Sequence, residues 1–406
     1  MNTTLIMIVS STLFWTLLVF YSILTVAGIL YRSKPNTYKP LEQYPSVSIF
    51  IPAHNEGKVL AETLDAMVKL EYPGELIIYL LNDNSKDETG EIADFYASTF
   101  PRIKHIHVPP GKPSGKSRVL NYGLSISDSD YICVYDADNQ PEPQALKLLV
   151  ERAEQVPGAV GAVGYVWTVN ETKNWLTRMI AMEFKVFQLL MQSGRWLMFK
   201  TGSLTGTNML VSRETMIKNG GWDPYALAED ADLTMTITAA GGLLPIVPES
   251  RTWEQEPETF RVWLKQRTRW MEGNLYIIFK SLRKPSWFKG RTAAHSFHQL
   301  LVYVGFVLLL IISDIWFILG LLGKAGTDIT TPLLILWFQS YLVYLMQLFS
   351  ALTVDRSLTP MNMFIAVIMY FTYAQLFMVL LVRALYFQVK KAWKKEDVVW
   401  DKTVRF

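Results

Sequence analysis

Acidic side chains placed where apolar segments end are the first indication of chemistry. Asp136 and Asp138 follow the apolar run 131–135, and Asp83 follows the run 76–81. Side chains alternate in an extended segment, so Asp136 and Asp138 point the same way. Carboxylates in that arrangement suit either the base and ribose of a nucleotide or a divalent cation, and hard oxygen ligands select Mg²⁺ or Mn²⁺. A lone Asp-x-Asp is a weak signal, because turns are rich in Asp for their own hydrogen bonds.

A basic, glycine-containing loop, residues 111–117, precedes the third acidic segment. Its glycines do not have the Gly-x-x-x-x-Gly-Lys-Ser/Thr spacing of a phosphate loop, so nucleotide hydrolysis is not indicated. Lys116 can nevertheless supply a cation near phosphates. The alternative is a solvated turn.

Two later motifs supply groups for proton transfer and for binding phosphates and sugars. Asp230, next to Glu229, lies at a predicted helix start and could take a proton from an attacking hydroxyl, or simply cap the helix. Gln266, Arg269 and Trp270 have i, i+3, i+4 spacing and share one helical face. That face offers an amide, a guanidinium for a diphosphate and a ring for stacking on a sugar. The alternative is an amphipathic helix with Trp at a membrane surface.

These residues require a scaffold that brings strand ends together. The runs 47–51, 76–81 and 131–135 are short and continuously apolar, which is typical of parallel strands covered on both faces. A helical pattern over 59–70 lies between the first two. The sequence therefore predicts an α/β fold with its ligand site at the carboxyl ends of the strands.

The rest of the chain has the composition of a membrane protein. Of 406 residues, 50% are hydrophobic and 18% charged, and the net charge of +3 gives no reason to expect a nucleic-acid partner. Residues 5–30 carry no charge, and three further apolar runs cover 298–323, 333–353 and 364–386. Basic and aromatic residues alternate over 174–200 and 260–282, as in helices that lie in the interface of a lipid bilayer. Within the later runs, Asp314 is a candidate polar residue lining a conduit.

These features predict three regions. Residues 1–34 form an N-terminal transmembrane helix, and 40–285 form a cytoplasmic catalytic domain with interface helices. Residues 286–406 form a membrane region with about three transmembrane or re-entrant segments. The basic tail, with Lys390, Lys391, Lys394 and Lys395, is predicted to be cytoplasmic, so one of the three later segments should not cross fully.

The ordered set Asp83, Asp136-Ala-Asp138, Glu229-Asp230 and Gln266-Arg267-Thr-Arg269-Trp270, between membrane segments, resembles the membrane-embedded family-two glycosyltransferases. These include the cellulose, hyaluronan, chitin and poly-N-acetylglucosamine synthases. The resemblance implies a GT-A fold, a UDP-sugar donor, a Mg²⁺ or Mn²⁺ ion, inversion at the anomeric carbon and export of a growing polysaccharide. N-acetylglucosamine is favoured over glucose on the resemblance alone.

The resemblance also implies a role for each motif residue. Asp83 would contact the uridine and Asp136 the nucleotide, while Asp138 would hold the metal. Lys116, Gln266 and Arg269 would bind the donor phosphates, with Asp230 as the general base beside Glu229. Trp270 would stack on the acceptor sugar, and Gly206 and Thr207 occupy the position of the acceptor-side loop. Ala228 departs from the threonine that many members have there, and the Phe-x-Val-Thr-x-Lys-Gly gating loop and a cyclic-dinucleotide-binding domain are missing.

The resulting hypothesis is a processive polysaccharide synthase of the plasma membrane, with accessory secretion subunits as possible partners. One alternative is a non-processive enzyme that glycosylates a polyprenyl phosphate, ceramide or diacylglycerol. The other is a non-catalytic transporter with a degenerate transferase domain.

Overall fold

A mixed eight-stranded sheet positions the acidic motifs in the computed structural model, which describes residues 3–34, 36–323 and 327–394. Continuous apolar runs form its central strands because both faces are covered. The strands are β1 Val47–Ala53, β2 Leu76–Asn82, β3 Ile103–His107, β4 Tyr131–Val134, β5 Gln140–Pro141, β6 Gly161–Thr168, β7 Met209–Ser212 and β8 Ile246–Glu254.

Fifteen α-helices are described within the same ranges. Those among the strands are α2 Leu60–Met67, α3 Thr89–Thr99, α4 Lys116–Ile126, α5 Ala145–Gln155, α6 Trp175–Lys185, α7 Ser193–Phe199, α8 Arg213–Lys218 and α9 Glu229–Ala239. The others are α1 Thr3–Ser33, α10 Phe260–Leu282, α11 Gly290–Leu300, α12 Phe306–Leu321, α13 Thr327–Val354, α14 Pro360–Met369 and α15 Leu376–Lys394. Two π-helical segments, Val186–Gln192 and Leu301–Gly305, join α6 to α7 and α11 to α12.

The sheet order is β3-β2-β1-β4-β7-β6-β8-β5. The pairs β3–β2, β2–β1 and β1–β4 are parallel, and β7 is antiparallel to both β4 and β6. One apolar core packs α2, α3 and α5 on one face of the sheet, and a second packs α4, α8 and α9 on the other. The predicted three-layer α/β arrangement is confirmed, and β1, β2 and β4 coincide closely with the three predicted strands.

Three helical segments of the described chain are long and apolar enough to cross a membrane: Ser11–Ser33, Gly290–Gly320 and Leu334–Val354. The first packs tightly on the segment around α7. A Cβ atom added to Gly28 would lie 2.4 Å from the Leu190 carbonyl oxygen, and one added to Gly194 would lie 2.3 Å from the Leu24 carbonyl oxygen. Small residues at these positions let the two backbones approach closely.

The apolar run 364–386 is not one continuous helix. It is divided between α14, which has ten residues, and α15, with turns over 370–375. Ten residues are too few to cross a hydrocarbon core of about 30 Å. How many segments cross remains a prediction, and the basic tail beyond Lys394 lies outside the described residues.

Candidate active site

One cavity of about 600 Å³ brings most of the predicted site residues together. Its volume is in the usual range for pockets that bind small molecules. The predicted residues that line it are Lys116, Asp136, Gly206, Thr207, Glu229, Asp230, Gln266, Arg269 and Trp270. Asp83 and Asp138 lie outside this lining.

Lys116 is the central cation of the cavity. As the first residue of α4, it follows Gly115, and its Nζ lies 2.7 Å from Asp136 Oδ1 and 3.1 Å from Glu229 Oε1. It also donates a hydrogen bond of 2.8 Å to the Gly206 carbonyl oxygen. Burial disfavours the charged ammonium, but the two carboxylates outweigh it and raise the pKa of Lys116 above its usual value. The cation therefore joins three separate segments of the chain at one point.

Asp230 has the electrostatic environment of a base that works near neutral pH. It is the second residue of α9, and its Oδ1 accepts a hydrogen bond of 2.8 Å from the Ala231 N–H. Burial and the neighbouring charge of Glu229 raise its pKa to about 7, although Lys116 partly opposes the shift. A general base is most effective when its pKa is near the working pH. The geometry therefore suits the predicted proton-accepting role.

Gly206 allows the loop before β7 to approach these charges. Its φ is +80°, a left-handed conformation that favours glycine, and a Cβ atom there would lie 3.4 Å from Asp230 Oδ2. The same atom would lie 3.6 Å from Lys116 Nζ. Both distances are ordinary van der Waals contacts, so the left-handed backbone, and not a lack of space, is the reason for glycine at this position.

Thr207 links the loop before β7 to the acidic segment after β4. Its Oγ1 donates to Asn139 Oδ1 at 2.6 Å and accepts from the Asp136 N–H at 3.1 Å. Asn139 Nδ2 in turn donates to Asp138 Oδ1 at 3.4 Å and to Glu254 Oε2 at 3.1 Å. Asn139 and Glu254 were not predicted from the sequence. Asn139 contacts Thr207 and Glu254, and both of these residues are far from it along the chain.

The residues after β4 offer two carboxylates to a divalent cation, but residues 137 and 138 form a turn and not the extended segment from which a common direction of Asp136 and Asp138 was predicted. Asp138 is buried, and it is placed two residues from Asp136, whose side chain lines the cavity. Mg²⁺ takes one or two protein carboxylates and completes its coordination with phosphate oxygens and water. A complete coordination shell of protein ligands is therefore not required at this site.

A different cluster has the mutual spacing of three metal ligands within the described chain. It consists of Asp94, His105 and His107 near the β3 edge of the sheet, and none of these residues lines the cavity. Both ring nitrogens of His105 are already engaged, with Asp94 Oδ1 at 2.7 Å and with Asn82 Nδ2 at 3.1 Å. A metal bound through either ring nitrogen of His105 would have to displace the contact at that nitrogen.

Asp83 directly follows β2 and is ion-paired with Arg118. Asn84 Nδ2 also donates to Asp83 Oδ1, at 3.0 Å. Arg118 Nη1 donates to the Pro109 carbonyl oxygen at 2.5 Å, which fixes the guanidinium beside the loop before α4. Arg118 is a partner of Asp83 that the sequence interpretation missed, although it follows Lys116 by two positions.

The helix α10 presents Gln266, Arg269 and Trp270 to the cavity, as the spacing predicted. Arg267 lies between them, and its guanidinium carbon is 4.2 Å from the centroid of the Trp270 ring. Phe184 stacks on the same indole, with centroids 6.2 Å apart and planes 19° from parallel. Trp270 is therefore held in place by its neighbours.

A buried polar network holds Arg267 itself. Its Nη2 lies 2.9 Å from Glu183 Oε2, which also accepts a hydrogen bond of 2.5 Å from the Tyr373 hydroxyl. Trp263 Nε1 donates to that hydroxyl at 3.0 Å. The break between α14 and α15 places Tyr373 in this network. The C-terminal helices and α10 are thus joined at the cavity.

Asp314 does not belong to the cavity lining. Its carboxylate is hydrogen-bonded to Trp337, between α12 and α13. The prediction that Asp314 lines a conduit is not supported by this position. The polar residues that α1, the segments from α11 to α13 and the turn after α14 contribute to the cavity are instead Tyr21, His295, His298, Gln299, Tyr303, Ser340, Tyr344, Gln347, Tyr370 and Tyr373.

Comparison with known proteins places this site in a family. Residues 45–273 match the family described as "Glycosyltransferase like family 2". A probable glycosyltransferase of Bacillus subtilis, YdaM, is 37% identical over 98% of this chain and 97% of its own length. The β-monoglucosyldiacylglycerol synthase of Synechocystis is 28% identical over 57% of this chain and 48% of its own length. The poly-β-1,6-N-acetyl-D-glucosamine synthase of Staphylococcus epidermidis is 24% identical over 64% of this chain and 65% of its own length.

The fold has a counterpart among solved structures. A mannosyltransferase of Pyrobaculum calidifontis, solved with GDP-mannose and Mn²⁺, superposes with a TM-score of 0.58 and 19% identity. The match covers 95% of this chain and 100% of the other. It shows a GT-A-like α/β fold with a mixed sheet. Together with the matched region and the Bacillus relative, it confirms the prediction of an enzyme: the chain belongs to the family-two glycosyltransferases.

Proposed function

We propose that the protein is an inverting glycosyltransferase of the plasma membrane that extends a β-linked polysaccharide and passes the chain across the bilayer. The donor is a UDP-sugar, with N-acetylglucosamine favoured and glucose next. The catalytic domain faces the cytoplasm, where nucleotide sugars are made. Accessory secretion subunits fit this activity as partners.

The observation that carries the proposal is the continuity of the cavity. Asp230 and the α10 residues Gln266, Arg269 and Trp270 line the same space as side chains of α1, α12 and α13. Each of these three helices contains, or forms part of, a segment that is apolar enough to cross a membrane. An acceptor bound beside Asp230 therefore has a direct path toward the membrane helices.

The chemistry follows from the positions of the charges. An acceptor hydroxyl gives its proton to Asp230 while its oxygen bonds to the anomeric carbon of the donor. The bond from that carbon to the diphosphate breaks, and the electron pair leaves with UDP. Attack from the face opposite the leaving group inverts the anomeric configuration.

The leaving diphosphate needs cationic and hydrogen-bonding partners. Lys116, Gln266 and Arg269 would hold it, with Asp136 and Asp83 on the nucleotide side. Asp138 would hold Mg²⁺ or Mn²⁺, which supplies positive charge for the departing phosphates. Lys116 already binds Asp136 and Glu229, so donor phosphates would compete with these carboxylates for the ammonium.

A second candidate function is the glycosylation of a membrane lipid. The side chains that α1 contributes to the cavity are Phe14, Leu17, Leu18 and Tyr21, of which only Tyr21 is polar. The partial similarity to a synthase of β-monoglucosyldiacylglycerol supports the same alternative. In this case Asp230 keeps its role and transfer stops after one sugar.

The test of the proposal is to incubate the purified, detergent-solubilised protein with single UDP-sugars and Mn²⁺ or Mg²⁺. A high-molecular-weight product that a β-linkage-specific hydrolase degrades, with one UDP released for each sugar incorporated, is the expected result. A single-sugar glycolipid as the sole product would instead establish the second candidate. The catalytically impaired Asp230→Asn variant serves as the background control.

The pKa of Asp230 predicts the pH dependence of the reaction. The base works only when deprotonated, so kcat/KM should rise with pH through about 7 and reach a plateau above it. Lys116→Gln should move this midpoint upward, because the positive charge of Lys116 lowers the pKa of Asp230. It should also raise KM for the donor.

The matched control for Lys116 is Lys112→Gln, in the same loop but exposed. This variant should leave the pH midpoint unchanged. A wild-type midpoint near 4 would show that the rate does not depend on a base in the Asp230 environment.

A substitution of Trp270 tests whether its ring holds the acceptor between sugar additions. An aromatic ring binds the apolar face of a sugar and still lets a chain slide, because stacking imposes little directional hydrogen bonding. Trp270→Ala should shorten or abolish the polymer while UDP affinity changes less than about threefold, and donor hydrolysis should persist. Product size on a gel and UDP binding by calorimetry would measure both effects. A variant that makes chains of normal length would remove Trp270 from acceptor binding.

A further inference from the structure

A cluster of four polar side chains, three of them buried, lies in the cavity where α1, α7 and α11 meet. It consists of Tyr21, Arg195, His295 and His298, and all four line the cavity that contains Asp230. Arg195 is 4% exposed, His295 2% and His298 9%. We call this cluster the Arg195 site. None of its members belongs to the motifs that carry the transferase assignment.

Arg195 is held in a fixed position by neutral partners. Its Nη2 donates to Gln192 Oε1 and to Ser203 Oγ, each at 3.1 Å. Gln192 is itself fixed, because it accepts from the Ser203 N–H and donates to the Ser203 carbonyl oxygen, both at 2.9 Å. The guanidinium is therefore oriented before any ligand arrives.

The charge of Arg195 has no carboxylate partner within the described parts of the chain. Burial lowers its pKa to about 10, which still leaves it charged at neutral pH, and the neighbours that act on its charge most strongly are Tyr21 and Tyr303. A buried charge without an opposite charge is costly in a folded protein. Such a residue beside membrane helices usually marks a functional site.

Four polar atoms of the site also lack a hydrogen-bond partner among the residues the structure covers: Tyr21 Oη, Arg195 Nε, His295 Nε2 and His298 Nδ1. Buried polar atoms are nearly always paired in native proteins. A ligand that supplies several acceptor oxygens and a negative charge would pair them, with the imidazoles taking the tautomer or the proton that this requires. A phosphate group has these properties, whereas the hydroxyls of a neutral sugar do not neutralise the guanidinium.

The surroundings indicate what carries the phosphate. Phe14, Leu17 and Leu18, one to two turns before Tyr21 on α1, line the same cavity. The segment Ser11–Ser33 that includes them is apolar enough to cross a membrane. A hydrocarbon chain attached to the phosphate can lie against these side chains.

We propose that the Arg195 site binds the phosphate group of an anionic membrane lipid, with its hydrocarbon chains along the apolar residues of α1. The lipid phosphate then occupies the same cavity as Asp230. The inference goes beyond the proposed function and does not depend on it, because binding is measured without sugar transfer.

The experiment compares two lipids that differ only in the phosphate. The purified full-length protein in detergent is titrated with dioleoyl phosphatidic acid or with dioleoylglycerol, and lipid adducts are counted by native mass spectrometry while unfolding is followed by a thermal melt. We expect at least tenfold tighter binding of phosphatidic acid, with a rise in melting temperature that dioleoylglycerol does not produce. Equal binding of the two lipids to the wild-type protein would overturn the proposal whatever any variant does.

Three variants locate the effect. Arg195→Gln keeps polar contacts to Gln192 and Ser203 but removes the charge, so the preference for phosphatidic acid should disappear. Arg195→Lys should retain part of it, and Lys200→Gln, which removes an exposed charge just after the same helix, should retain all of it. A tenfold preference that survives in a folded Arg195→Gln protein would contradict the assignment.

Competition with inorganic phosphate distinguishes binding of the lipid from binding of the free ion. Millimolar phosphate that displaces phosphatidic acid supports an anion site at the headgroup. Phosphatidic acid that binds no more tightly than inorganic phosphate would overturn the role of the hydrocarbon chains.

Discussion

Asp230→Asn should reduce the rate of sugar transfer by about two to four orders of magnitude, the usual contribution of general base catalysis. The amide preserves the size of the side chain and can still accept from the Ala231 N–H, but it cannot take a proton from the acceptor. Binding of UDP should change little, because the carboxylate is assigned to the acceptor. Initial rates of UDP release and calorimetric UDP binding would measure the two quantities.

Asp232→Asn is the matched control for this change. Asp232 lies two positions along the same helix, outside the cavity lining, and its carboxylate is 2.6 Å from Lys280 Nζ. Loss of the Asp232 charge should lower the stability of the fold and leave the rate of sugar transfer unchanged. Near-normal turnover by Asp230→Asn would require another base.

Asp138→Ala should abolish detectable transfer and remove the dependence of UDP binding on Mn²⁺ or Mg²⁺. Asp138 would hold the ion, and the ion would supply positive charge to the diphosphate, so loss of the carboxylate would remove the effect of the ion on UDP binding. Calorimetric titration of UDP with and without Mn²⁺ would show whether the ion still increases affinity.

Asp138→Asn separates metal binding from folding. It preserves the size of the side chain and can keep a contact with Asn139, yet it lacks the negative charge that attracts the ion. It should therefore fold normally and still lose the metal effect. Undiminished wild-type activity in excess EDTA would contradict the metal role altogether.

Local patterns in the sequence were sufficient to predict the elements that carry the chemistry. Asp230 does lie at a helix start, and the i, i+3, i+4 spacing does bring Gln266, Arg269 and Trp270 to one cavity. Both features depend on periodicity within a few residues. The same reasoning missed β3, an edge strand in which exposed polar residues interrupt the apolar pattern.

Contacts between distant segments were not predictable in this way. The pairs Arg118–Asp83, Arg267–Glu183 and Glu183–Tyr373 each depend on packing that no local pattern encodes. The break between α14 and α15 also lacks a local signal, since residues 370–375 contain neither proline nor glycine. It is associated instead with the hydrogen bonds of Tyr373 to Glu183 and Trp263. Arg195 lies in the predicted interface segment 174–200, and nothing in that pattern distinguishes it from the other basic residues there.

The most direct test of the central claim is a pulse–chase measurement of product length. The enzyme is given a brief pulse of radiolabelled UDP-sugar and then a large excess of unlabelled donor together with fresh enzyme and acceptor. A processive synthase predicts that the labelled chains keep growing on the enzyme that started them, so the label moves to long products. Label confined to products of one sugar on a lipid, with no high-molecular-weight material under any donor, would contradict processive synthesis.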